Sequence, residues 1–224
     1  MPNSRDHAKS TTQEKETARV EAFSDGVFAI AITLLVLEIK VPRLGQGASG
    51  HDLLDTLLDL WPSFVAFLGS FLAILIMWIN HHGLFKLVNR VDSRLFFANG
   101  LLLMLVSFVP FPTAVLAEYL NGRGANVAAV FYCGTFVLIN VAYNLLWYIA
   151  TLHRRLIKED VPQKHVIKIR KAYLIAFPIY TGAMLFSVWS AFGGLAIALS
   201  LWILWTMLDY NYAPSLGPIG PSGP

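Results

Sequence analysis

A chain of 224 residues that is 56% hydrophobic and only 14% charged, with a mean hydropathy of +0.58, is too apolar for a soluble domain, in which about a quarter of residues are charged. It reads as an all-α integral membrane protein. The net charge of +3 comes from 17 Lys and Arg against 14 Asp and Glu, an excess that in this class reports loop topology and excludes nucleic acid as the expected partner. The single Cys133, set in an apolar run, excludes an intrachain disulfide framework and any CxxC metal or redox site.

In chain order, residues 1–18 are polar and are expected to form a disordered cytoplasmic N-terminus. Six apolar spans follow, near 20–41, 61–83, 95–118, 125–150, 172–190 and 193–210, each measured against the roughly 20 residues that a bilayer-crossing helix needs. Together they make a six-helix transmembrane domain over 19–212. Arg19 before a short apolar core resembles a signal peptide, but Asp25 lies within the core and no small-x-small cleavage site follows, so the segment is expected in the mature protein. The last two spans are short and joined at Gly193-Gly194, which predicts a tight helical hairpin. The Pro/Gly-rich end, 213–224, cannot be helical and is expected to be a disordered tail.

Orientation follows from the basic residues. Of the 17, only Lys40, Arg43 and Arg123 fall on one side of the predicted spans; the rest precede the first span, join the second to the third, or surround the loop after the fourth. The positive-inside rule therefore puts both termini in the cytoplasm. The outer loop 43–60 carries Asp52, Asp55 and Asp59 with His51, which could concentrate cations, although a solvated loop face is the plainer reading.

Depth is a usable coordinate, since a helix rises about 1.5 Å per residue. Asp25, His81, His82 and Asn99 all fall a few residues inside the cytoplasmic ends of spans one, two and three, in one layer. An ionisable Asp in such a segment is costly unless satisfied, and marks an ion path, a relay or a structural lock. Imidazole N–H and amide NH₂ are the donors on offer. At about 100° per residue, Asp25 lies roughly 140° around the helix from Ile30, while Phe23, Val27, Ile30, Leu34 and Leu37 share one stripe. Two arrangements fit. Either the stripe packs into the subunit and Asp25 faces a water-filled path, or Asp25 faces its own subunit's helices and the stripe faces a symmetry axis. In the second, Asp25 has partners and the aliphatic row makes a constriction able to gate by dewetting. Ordinary helix packing of Ile30, Leu34 and Leu37 is the plain alternative to both.

The run Arg19-x-x-x-Phe23-Ser24-Asp25, followed by Gly-Val-Phe-Ala-Ile-Ala-Ile-Thr-Leu-Leu-Val-Leu-Glu, resembles the signature first helix of the transmembrane protein 175 family of potassium channels, in its prokaryotic single-repeat form. The resemblance extends through Asn80-His81-His82 and the six-span plan. It implies a homotetramer in the prokaryotic cell membrane whose first helices line the ion pathway, without a carbonyl filter loop; no such loop occurs in this sequence. It also implies that Ile30 is the aliphatic constriction, with Leu34 and Leu37 as the layers above it. Thr33 matches a position associated with selectivity; its alternative use is back-bonding to the preceding helical turn. Arg19, Phe23, Ser24 and Asp25 match the motif that anchors the pore helix, with His81 and Asn99 as expected partners. The resemblance implies no cofactor and no bound metal beyond permeant potassium ions. A hydrophobic ring has no oxygens to replace a hydration shell, so potassium preference over sodium is expected to be modest. With no voltage-sensor Arg ladder and no nucleotide or calcium motif, the expected conductance is leak-like.

The competing classes have distinguishing features. A secondary transporter using Asp25 would be expected to show inverted repeats or helices broken at midplane. A metalloenzyme using His81 and His82 lacks both HExxH and carboxylate spacing, since adjacent histidines on a helix point about 100° apart; no enzyme is expected. A scaffold without transport would carry no current.

Overall fold

The computed structural model describes residues 4–207 of the chain. Among them the elements are α1 (Ser4–Leu34), a 3₁₀ turn (Leu35–Glu38), α2 (Gly50–Asp59), α3 (Trp61–Leu87), α4 (Ser93–Phe108), α5 (Pro110–Tyr119), α6 (Ala125–Thr151), a second 3₁₀ turn (Leu152–Arg154), α7 (Gln163–Phe186) and α8 (Ala191–Thr206). Four stretches are long and apolar enough to cross a membrane: 15–38, 61–87, 93–119 and 125–151. α8 is a shorter apolar helix, and the first turns of α7 are basic.

Several boundaries differ from the sequence expectation. α1 is already helical at Ser4, where 1–18 was expected to be disordered; the run Gln13-Glu14-Lys15-Glu16 consists of good helix formers, and no Gly or Pro interrupts the helix between Ser4 and Gly26. α7 starts at Gln163, nine residues before the predicted 172: its Lys- and Arg-rich opening buries Val166 and Ile169 and so continues the packed face outside the apolar run. Gly193-Gly194 is not the joint between the last helices but part of α8 itself. There a Cβ on Gly194 would sit 2.7 Å from Ala183 O and run into Ser187 Oγ, so glycine lets α8 approach the end of α7 closely. The tail 213–224 lies outside the described residues, as does the end of the predicted last span.

The third membrane-length stretch is broken once. Pro110 has no N–H to return to Val106, and Val109 N closes that turn instead, at 3.1 Å from Val106 O. The break between α4 and α5 is flanked by a chain of hydroxyls from three helices. Thr113 Oγ1 donates to Val109 O (2.8 Å), Ser70 Oγ lies 2.7 Å from Thr113 Oγ1, and Tyr132 Oη 3.0 Å from Ser70 Oγ. All three side chains are buried, so each hydroxyl needs the others.

α6 is the centre of the bundle, packed against α4, α5, α7 and α8. It buries residues around much of its circumference, including Tyr132, Phe136, Tyr143, Leu146 and Trp147. α1 stands at the edge, packing chiefly on α3 and α4. At the basic end, the chain after α3 pairs with the chain after α6: Val88 bridges Ile157, and Asn89 N donates to Leu156 O at 2.7 Å. At the other end, Lys40 Nζ meets Glu118 Oε2 at 2.7 Å, an exposed pair.

α2, within the acidic loop 43–60, is a capped helix. Ser49 and Asp52 form a reciprocal capping box, and Asp52 Oδ2 accepts from Ser49 N at 2.7 Å. That bond, with a second that Ser49 Oγ donates to the same oxygen at 2.8 Å, holds the Asp52 carboxyl below its ordinary value. None of the residues of α2 is buried within the subunit.

Candidate functional site: the two faces of the first helix

The inward face of α1 is written by residues at helical spacing. Ser24, Phe28, Ala31 and Leu35 recur at four, three and four residues and are buried almost completely. Small Ser24 and Ala31 alternate with bulky Phe28 and Leu35, which lets α1 lie close to α3 and α4.

A directed hydrogen-bond chain ties this face down. His81 Nε2 lies 2.8 Å from Asn99 Oδ1, Asn99 Nδ2 donates to Ser24 Oγ at 2.9 Å, and Ser24 Oγ donates to Val20 O at 2.8 Å. Since the Asn99 amide gives its N–H to Ser24, its oxygen must accept, so His81 carries its proton on Nε2. The imidazole is stacked on Phe85 with ring centroids 4.5 Å apart, and tilts against Phe28 at 5.3 Å. One residue from each of α1, α3 and α4 thus shares a buried polar lock.

Asp25 is held elsewhere. It accepts from Trp78 Nε1 at 2.8 Å, whereas His81 and Asn99, its expected partners, serve Ser24. The cause is azimuth: adjacent helical residues diverge by about 100°, and it is Ser24 that faces the α3–α4 crevice. One turn before Asp25, Glu21 Oε1 lies 2.6 Å from His82 Nδ1, and His82 stacks on Trp78 at 6.0 Å and 16°. Two i, i+4 pairs, Glu21/Asp25 on α1 and Trp78/His82 on α3, therefore cross-link the helices in antiparallel register. Trp78 and Glu21 were not anticipated; their matching spacing of four was the available signal.

The outward face is bare within the subunit. Phe23 is 64% exposed, Ile30 60% and Leu37 73%; Leu34 is exposed as well, and Val27 is half-buried. Leu37 lies in the 3₁₀ turn, where three residues make a full turn, so it stands directly over Leu34 and prolongs the row. Thr33 is exposed beside it and donates to Ile30 O at 2.9 Å, the back-bonded conformation. Arg19 is exposed at the basic end. Among the described residues no group of three or more His, Cys, Asp or Glu is placed to hold a metal ion.

A helical membrane protein whose first helix is polar-locked on one face and aliphatic and uncovered on the other belongs to a class that completes itself through other copies or through lipid. Known proteins similar to this chain name the family. Residues 19–110 match the family model described as endosomal/lysosomal potassium channel TMEM175. A Chamaesiphon minutus protein named as a potassium channel is 51% identical over 184 residues, covering 81% of this chain and 90% of the relative. A Streptomyces collinus potassium channel is 47% identical over 172 residues, covering 75% and 82%. The crystal structure of a lysosomal potassium-selective channel TMEM175 homolog from Chamaesiphon minutus superposes with a TM-score of 0.78 at 48% identity, over 88% of this chain and 100% of that one. The chain belongs to the TMEM175 family of ion channels.

Proposed function

We propose that the chain is a potassium-permeable cation channel made of four copies, each crossing the cell membrane six times with both termini in the cytoplasm. α7 and α8 supply the last two crossings. The observation that carries this reading is the bare stripe of α1: Phe23, Ile30, Leu34 and Leu37 are exposed and lie about 100° around the helix from the Ser24 face locked to α3 and α4. Four such stripes around an axis make a hydrophobic constriction with Ile30 as its narrow ring and Leu34 and Leu37 above it. Water leaves an apolar neck of this kind readily, so the neck gates by dewetting. Potassium is favoured over sodium modestly, through its lower dehydration cost and through Thr33, whose hydroxyl flanks the row. Arg19, Phe23, Ser24, Asp25, His81 and Asn99 anchor the pore helix and do not bind the ion.

The sequence carries no voltage-sensor Arg ladder, and the proposed conductance is leak-like. The test is purified protein in a planar bilayer under a potassium/N-methylglucamine gradient. Step-like cation currents reversing toward the potassium equilibrium potential are expected. Silence at every voltage and gradient, or flux that saturates like a carrier's, would overturn the reading.

A further inference from the structure

α7 has two faces along its length. Val166, Ile169, Tyr173, Ala176, Tyr180 and Ala183 recur every three or four residues and are buried, with α7 packed against α6 and α8. Diametrically opposite, at about 100° per residue, run Lys164, Lys168, Lys171, Ile175, Pro178 and Gly182, all exposed. The three lysines enter no ion pair or hydrogen bond among the described residues. Arg154 and Arg90 are by contrast used by the fold, bonded to Val161 O and Arg155 O. No acidic residue occurs between Asp160 and Asp209, so the positive charge of α7 has no counter-charge in its own hairpin.

Length sets the depth of those lysines. The apolar part of α7, 172–186, spans about 22 Å at 1.5 Å per residue, against roughly 30 Å of hydrocarbon. Trp189, 76% exposed just beyond the far end, is suited to the opposite interface. Lys171 and Lys168 are thereby drawn to the boundary where stems lie on acyl chains and ammonium groups reach phosphates. Below them the stripe ends at Gly182, which carries no side chain and faces open space: nothing lies within 4 Å of a Cβ built there.

We propose that this face of α7 binds an anionic phosphoglycerolipid, with its phosphate among Lys164, Lys168 and Lys171 and one acyl chain along Ile175, Pro178 and Gly182. Charge complementarity selects the headgroup, and the apolar continuation selects a lipid over a free anion. A second copy is not the occupant, because α1, the proposed contact between copies, packs on α3 and α4, with α6 standing between that side and α7. The inference requires a bilayer and stands whether or not the protein conducts.

The test is native mass spectrometry of the full chain in micelles doped equally with phosphatidylglycerol and phosphatidylcholine. Phosphatidylglycerol should be retained over phosphatidylcholine by at least about tenfold, since each interfacial lysine contributes about fivefold. K164Q/K168Q/K171Q should abolish that preference, and K168Q alone should lower it about fivefold. K86Q, an exposed lysine at the same end but on α3, should leave it intact. Gly182→Leu should shorten lipid residence without changing headgroup preference. Equal retention of the two lipids by the wild-type protein, persistence of the preference in the lysine variants, or displacement of the lipid by millimolar inorganic phosphate would each overturn the proposal.

Discussion

Two neighbouring residues, Ser24 and Asp25, divide the work that a single motif suggests. Ser24 is completely buried and receives the Asn99 amide, whereas Asp25 is half-buried and receives only Trp78 Nε1. Ser24→Ala strands a buried amide donor and should cost about 1 to 2 kcal/mol, seen as a lowered unfolding temperature in detergent. Asp25→Asn keeps an oxygen for Trp78 and should cost less than about 1 kcal/mol. A larger loss in Asp25→Asn than in Ser24→Ala would return the lock to Asp25. On the bare face, Ile30→Asn should hydrate the constriction, raising single-channel conductance and eroding potassium preference. Thr33→Ala should shift the potassium/sodium reversal potential while conduction persists. Unchanged currents in Ile30→Asn would move the gate away from the stripe.

At the scale of elements, α2 shows how a local signal sets a boundary. Its capping box depends on an ionised Asp52, whose carboxyl is held below the ordinary value of 3.8 by the backbone N–H and hydroxyl of Ser49. A carboxyl depressed in the folded state adds stability above its unfolded pKa, and that stability is lost as pH falls through the folded one. Hydrogen exchange of residues 50–59, corrected for intrinsic rates, should therefore show protection at pH 6 that fades below the ordinary carboxylate range. Ser49→Ala should remove the protection at pH 6 as well. A segment equally protected in Ser49→Ala would mean that α2 is held by packing with other copies or with lipid and not by its cap.

For the whole molecule, the decisive fact is that the most apolar face of α1 is left outside the subunit's core. A soluble fold would bury Ile30, Leu34 and Leu37; here the core is built around α6, and α1 offers it only the Ser24–Leu35 face. The proposed fourfold assembly puts the bare rows of neighbouring copies close together. Leu37→Cys would place a thiol at the most exposed point of the row, and the native Cys133 is buried. Mild oxidation should then give disulfide-linked pairs within a cross-linkable tetramer. A monomer that never cross-links would leave the stripe facing lipid.

Composition and periodicity were enough for the membrane class, for four of the six apolar spans and for the aliphatic row of the first helix, because burial in lipid demands long apolar runs and a helix repeats with a fixed angle. The four polar groups at one depth were also legible, since depth along a helix follows from counting residues. Which of those groups meet was not, for pairing depends on how α1, α3 and α4 are rotated about their axes. That rotation gave Ser24, not Asp25, the His81–Asn99 pair. The antiparallel cross-link of Glu21 and Asp25 to His82 and Trp78 needed both helices in place before its spacing of four had meaning. The early start of α1 came from helix propensity acting outside the apolar run, and that of α7 from a packed face that continues beyond it. Only the packed subunit showed that one row of aliphatics is left uncovered among the described residues.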